Sequence, residues 1–183
     1  MEAWAEENEF PIIGPNVGNL LYQITFISRA AKILELGSGF GYSAYWFAKA
    51  LPENGYVQMT EHSRENIEIA DEFLKQVGFE NKVRIEQCDS LEFIAGSSEE
   101  YDIIFNDIDK EFYPGVVESA YAKLKTGGIL ISDNVLWHGR VISSDDSDAT
   151  IGVREFTGKL LSHQGFHTVI IPMRDGVSIS RKL

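Results

Sequence analysis

Two periodicities alternate along this chain. Short runs of strand length, Lys32 to Leu36, Tyr56 to Glu61, Lys82 to Gln87, Tyr101 to Phe105 and Gly128 to Ile131, are separated by longer stretches with apolar residues at helical spacing. The most apolar of the runs predict strands buried on both faces, as in a parallel sheet. The intervening stretches predict helices over Gly41 to Leu51, from a Ser63 cap to Val77, over Leu91 to Ala95, over Tyr113 to Leu124 and over Thr150 to Ser162. Pro52 to Gly55 and Thr126-Gly127-Gly128 predict turns, and the polar stretch 138–149 a loop. Before the first strand, residues 1–9 and 16–28 predict two helices broken apart by Pro11, Gly14 and Pro15.

Two strands close the pattern, Phe166 to Pro172 and Val177 to Ser180, separated by Arg174-Asp175-Gly176. That turn predicts a hairpin, so the last strand runs antiparallel to its neighbours. Repeated strand–helix units predict an α/β doubly wound sheet of seven strands, mostly parallel. With 183 residues and no linker or repeat, the expectation is a single domain over 1–183, with 1–30 as a short helical segment in front of it.

Composition narrows the partners. The net charge of −12 disfavours broad phosphate-backbone binding and favours a small substrate. Cys88 is the single cysteine, which fits a reducing compartment. The acidic start, Met1-Glu2-Ala3-Trp4-Ala5-Glu6-Glu7, has no signal-peptide pattern, and no apolar run approaches the roughly 18 residues that span a bilayer. A soluble cytoplasmic protein with no membrane contact is expected.

Two strands end in acids. Asn106-Asp107 follow the run Tyr101 to Phe105, and Ser132-Asp133-Asn134 follow Gly128 to Ile131. In adjacent parallel strands these side chains would meet at the carboxyl edge, where open α/β sheets bind ligands. Converging carboxylates repel unless a cation or a shared proton intervenes. Two Asp and one Asn amide suit a hard divalent ion such as Mg²⁺. The alternative is that Asp107 and Asp133 merely cap helices.

A second motif follows the first strand: Glu35-Leu36-Gly37-Ser38-Gly39-Phe40-Gly41-Tyr42-Ser43. Glycines let the backbone turn tightly and approach a ligand. Glu61 ends the next strand about 20 residues on, where an acid holds ribose hydroxyls. Such a loop does not by itself separate a dinucleotide from S-adenosylmethionine. The GxGxG spacing, and Glu35 as an acid for an amino group, favour the methyl donor.

With these residues in view, the chain resembles the metal-dependent O-methyltransferases that include catechol and caffeoyl-CoA O-methyltransferases. The resemblance rests on ELGSGFGYSA (35–44), FNDIDKEFY (105–113), SDNVLWHGRV (132–141) and IPMRDGVSISRKL (171–183). It implies a Rossmann-like seven-stranded sheet, S-adenosylmethionine as donor and a divalent metal. By that resemblance Asp107, Asp133 and Asn134 are the metal ligands and Lys110 the general base. Gly37, Gly39, Tyr42 and Ser43 form the donor loop, Glu61 meets the ribose, Asp89 and Ser90 meet the adenine, and Asp107 and Asp109 lie close to both metal and donor. Asn106 stands where an apolar residue is usual, and Thr157 where Asn is common. Family members commonly begin earlier, with helices that form a lid and a homodimer contact. This chain starts near the end of that region, so the resemblance leaves the lid unassigned and the homodimer as one of the states it allows.

The implied reaction is methylation of a catechol-like phenol, with Trp137 and His138 as candidates for the substrate mouth. Cys88 reads as a small apolar residue near the adenine. A rival substrate is a hydroxyuridine in transfer RNA, because the N-terminal piece resembles a bacterial branch with that activity. Arg29, Lys32, Arg140, Arg154, Arg174, Arg181 and Lys182 would then gather as a basic rim. A donor-binding module without turnover is a third reading.

Overall fold

The computed structural model describes residues 1–183. Helices α1 (Glu2–Glu7) and α2 (Gly14–Ser28) precede the sheet. Strands β1 (Lys32–Leu36), β2 (Tyr56–Glu61) and β3 (Val83–Gln87) alternate with α3 (Tyr42–Ala50) and α4 (Arg64–Gln76). Helix α5 (Ser90–Gly96) leads to β4 (Tyr101–Asn106), and α6 (Val116–Lys123) to β5 (Leu124–Ser132). Helix α7 (Asp148–Ser162), β6 (Phe166–Ile171) and β7 (Val177–Lys182) complete the chain.

All seven strands form one sheet in the order β3-β2-β1-β4-β5-β7-β6. The first five are parallel, and β7 pairs antiparallel with both β5 and β6. The hairpin and the antiparallel last strand are as the sequence predicts. The strand order reverses between β1 and β4, which opens a crevice at their carboxyl ends.

Alternate residues of each strand feed two cores. Ile33, Ile103, Phe105 and Ile131 pack with Val17, Leu21, Phe47 and Leu74 on one face. Leu34, Leu36, Ile104 and Leu130 pack with Val117, Ala120, Phe156 and Leu160 on the other. Both faces are therefore covered by helices, which is why the central strands read as continuous apolar runs.

Three expectations are corrected. The helix expected over Tyr113 to Leu124 is split: Lys110–Gly115 is a 3-10 turn containing Pro114, and α6 starts only at Val116. Proline lacks the amide hydrogen that a continuous helix needs there. Strand β5 begins at Leu124 rather than Gly128, pairing with Tyr101 before an irregularity lets Ile129 pair with Ile103. The polar stretch 138–149 is partly ordered as 3-10 structure over Trp137–Ile142, and α7 starts at Asp148, capped by Ser147. No helix is long and apolar enough to cross a membrane.

Candidate active site

Each piece of the crevice is set by a strand end. Asn106 of β4 pairs with Ser132 of β5, so the next residue on each strand, Asp107 and Asp133, leaves the sheet side by side. The amide of Asp107 still donates to Leu36 O at 3.0 Å, and that of Asp133 to Asn106 O at 3.3 Å. Buried Tyr113 donates its hydroxyl to Asp133 O at 3.1 Å, which fixes the turn from the opposite side.

Asp133 is buried, and its Oδ1 has no hydrogen-bond partner. Burial first, and then the charge of Asp107, push its carboxyl above the ordinary range. Burial also raises Asp107, opposed by the nearby Lys110 ammonium. Lys110 Nζ donates to Asp107 Oδ1 at 2.8 Å and to Ile108 O at 3.1 Å. Asn134 follows in the left-handed region at φ +57°, and its Nδ2 donates to Asp175 Oδ2 at 3.4 Å. Asp175 Oδ1 also accepts from the amide of His138.

No three His, Cys, Asp or Glu side chains gather as a metal cluster. What converges is a pair of carboxylates beside one amide, with a buried oxygen lacking any partner. That donor set fits a hard divalent cation, which would lower the cost of two neighbouring negative charges.

The glycine loop lies across the switch point. Gly37, at φ +77°, passes so close to the next strand's tip that a Cβ there would meet Asp107 O at 2.9 Å and Ile108 Cα at 3.0 Å. Only glycine permits both the turn and this approach. Glu61 anchors the loop: its Oε2 accepts from the amide of Gly39 and its Oε1 from that of Ser63, both at 2.8 Å. Ser90 Oγ lies 2.8 Å from Thr60 Oγ1, and Asp89 Oδ1 caps α5 by accepting from Glu92 N at 2.8 Å. Tyr42 donates to Glu2 Oε1 at 2.6 Å, and burial together with that bond pushes its hydroxyl up to about 12.

Glu35 is fully buried beneath the loop and does not line the cleft. Ser43 Oγ donates to its Oε1, while Oε2 has no partner. The carboxyl expected to meet an amino group directly therefore faces the protein interior. On β1 it shares a face with Ile33, under α3, and that burial pushes it up to about 8.

A cleft of about 1190 Å³ joins these parts. It is bordered by Gly37, Gly39, Tyr42, Ser43, Glu61, Asp89, Ser90, Asp107, Lys110, Asp133 and Asn134, so every expected site residue except Glu35 reaches it. Cys88, Asp109, Trp137 and His138 also border it. Three further wall residues have no individual role in the sequence reading of the cleft: Phe10 and Ile12 fall only within a pocket loop expected over 10–16, and Arg174 only within a basic rim. Phe10 and Ile12 come from the N-terminal segment, and Arg174 comes from the β6–β7 turn. Topology was the signal for Arg174. Strand β6 runs the same way as β5, so the turn after it emerges at the same edge as Asp133.

The expected basic rim does not assemble. Arg29 and Lys32 lie at the amino end of β1, and Arg181 and Lys182 end the antiparallel β7, so all four fall at the opposite edge. Arg154 is held by Val141 O, Arg140 O and Ser143 O.

Comparison with known proteins places the chain in a class. The sequence model of the O-methyltransferase family matches residues 5–183. A caffeoyl-CoA O-methyltransferase from Populus kitakamiensis is 31% identical, with 91% of this chain and 76% of that protein covered. A catechol O-methyltransferase from Niastella koreensis is 28% identical over 88% of this chain and 75% of its own length. Among solved structures, an O-methyltransferase from Bacillus cereus in complex with SAH superposes with a TM-score of 0.91 at 26% identity, covering 99% of this chain and 88% of that one. The chain belongs to the O-methyltransferase family and is an enzyme of that class.

Proposed function

We propose that this enzyme transfers the methyl group of S-adenosylmethionine to one oxygen of a catechol-like phenol, assisted by a divalent cation held by Asp107, Asp133 and Asn134. The observation that carries the reading is the buried, partnerless Asp133 Oδ1 beside Asp107, at the end of the cleft opposite Asp89 and Ser90. A carboxyl in that setting needs a positive partner or a proton, and a cation would also relieve its repulsion with Asp107. Relatives named as catechol and caffeoyl-CoA enzymes support the acceptor class, and the SAH complex of the Bacillus cereus protein supports the donor.

In this reading Glu61, already fixed by two backbone amides, receives the ribose hydroxyls, and Asp89 and Ser90 border the adenine. Gly37, Gly39, Tyr42 and Ser43 hold the amino-acid end of the donor. Glu35 acts through Ser43 as a positioning residue. When bound, the cation supplies positive charge that lowers the pKa of a neighbouring hydroxyl. Lys110 Nζ, once its own ammonium proton has passed to solvent, takes the acceptor's hydroxyl proton. The oxygen then forms a bond to the methyl carbon as the carbon–sulfur bond breaks, and the sulfonium leaves as a neutral thioether. Trp137 and Phe10 help exclude water. Holding donor and acceptor in line supplies about 7–11 kcal/mol of the barrier, so positioning outweighs the base.

The test is methylation of catechol and caffeate with Mg²⁺ by the parent and by Asp133→Ala. Loss of about 100-fold or more in rate, with parent-like donor binding, is expected; equal rates in the two proteins would reject the metal role.

A further inference from the structure

A second cavity, of about 630 Å³, lies against the first and shares Asn134, His138 and Arg174 with it. Its other walls are the apolar Leu136, Val141 and Ile142 together with Gly139 and Asp175. Arg174 is the cation that stands where the two spaces meet.

Three observations single out this side chain. First, its backbone is left-handed at φ +51°, in a turn where glycine would be cheaper by about 1–2 kcal/mol. A bulky residue retained at such a cost points to a use for the side chain. Second, its guanidinium makes no direct ion pair and offsets the charge of Asp107 and Asp133 only at a distance, although the chain carries 28 acidic residues against 16 basic ones. The carboxylate of its neighbour, Asp175, is committed to the amide of His138 and to Asn134 Nδ2. Lys110, the other cation on the main cleft's acid side, is paired with Asp107. Third, Arg174 is exposed, and Nη1 alone is engaged, donating to Ile12 O at 2.7 Å. The remaining donors of its fork are available to a planar anion.

We infer that Arg174 is a specificity-determining residue that selects acceptors carrying a carboxylate on an arm beyond the phenol ring. This rests on the proposed reading, in which the ring hydroxyls sit at Asp133 and Asn134. The arm then passes Asn134 into the second cavity, lies along Leu136 and Val141, and ends on the guanidinium. In a chain of net charge −12, an anionic acceptor would otherwise be repelled, so a local cation decides whether it is accepted.

The test compares caffeate with its primary amide, which has the same shape and no charge, and uses catechol as the armless reference. The parent is expected to show a lower KM for caffeate than for the amide. Arg174→Gly, which suits the left-handed backbone and should melt close to the parent, raises the caffeate KM about tenfold or more. It leaves kcat, and the amide's KM, within about twofold. Arg174→Lys keeps the charge and most of the preference. Equal losses for acid and amide would make Arg174 only a tether for the Ile12 segment and overturn the inference, as would no change for either. If the parent methylates catechol but shows no charge preference dependent on Arg174, the inference alone falls. If the parent methylates none of the three, the proposed function falls and takes the inference with it.

Discussion

The two ends of the main cleft are built on opposite principles. At the glycine-loop end, where only Ser38 Oγ and the buried Glu35 Oε2 behind the loop lack partners, the acidic side chains that border the cleft are already held by the protein. Glu61 accepts two backbone amides, Ser90 meets Thr60, and Asp89 caps a helix. At the acid end they are not: Asp133 Oδ1 has no partner, burial raises both carboxyls, and Arg174 has no carboxylate to pair with. The first end is a preorganised mould, and its residues serve stability and binding together. The second holds charge that Lys110 and Arg174 offset only in part, an arrangement that costs stability and that the proposed chemistry would use.

Substitutions can separate the two. The largest combined effect is expected from Glu61→Ala, which leaves the amides of Gly39 and Ser63 without acceptors. It should destabilise the fold by about 3–6 kcal/mol, since the two hydrogen bonds to this charged group are worth about 1.5–3 kcal/mol each. Donor affinity should fall with it. Denaturant unfolding and donor titration would check this; loss of affinity with full stability would show that Glu61 does not hold the loop.

Gly152→Ala should separate the ends differently. A Cβ at Gly152 in α7 would meet Lys110 O at 2.2 Å and Glu111 Cα at 2.8 Å, both backbone atoms that cannot swing aside. The segment carrying Lys110 must shift, so kcat is expected to fall about tenfold while donor Kd holds. A parent-like kcat would mean that the position of Lys110 matters little.

The smallest effect concerns Glu35. Its folded-state value of about 8 lies above the ordinary 4.5, so between those values the folded chain retains a proton that the unfolded chain has lost. Its contribution to stability is full below about pH 4.5 and declines as pH rises toward 8. Glu35→Gln cannot titrate. At pH 8 it should melt several degrees above the parent, with the gap closing toward pH 5. A gap that does not change with pH would contradict this assignment.

Much of the fold was legible because burial on both faces leaves a simple mark. The apolar runs ending at Leu36, Phe105 and Ile131 are all strands of the central sheet. The irregular parts left no such mark. The 3-10 segment at Trp137–Ile142 places His138 and Gly139 in the left-handed region, held in part by an acceptor on Asp175, and no periodicity announces that. At the site, Asp107, Asp133 and Asn134 were readable because a strand tip needs only one-dimensional information to locate. Ile12 and Arg174 were readable only as members of a pocket loop and a basic rim, because their contact with each other depends on how the closing hairpin and the N-terminal segment dock at the same edge. Glu35 was legible as an acid in the right motif, but strand alternation sends its side chain under α3 rather than into the cleft.

The central claim is that a cation belongs between the tips of β4 and β5. The most direct measurement is calorimetric titration of Mg²⁺ or Mn²⁺ into the donor-product-saturated enzyme and into its Asp133→Ala variant. One ion bound per chain in the parent, with affinity lost in the variant, is the predicted result. Equal binding in both proteins, or no binding in the parent, would contradict the account.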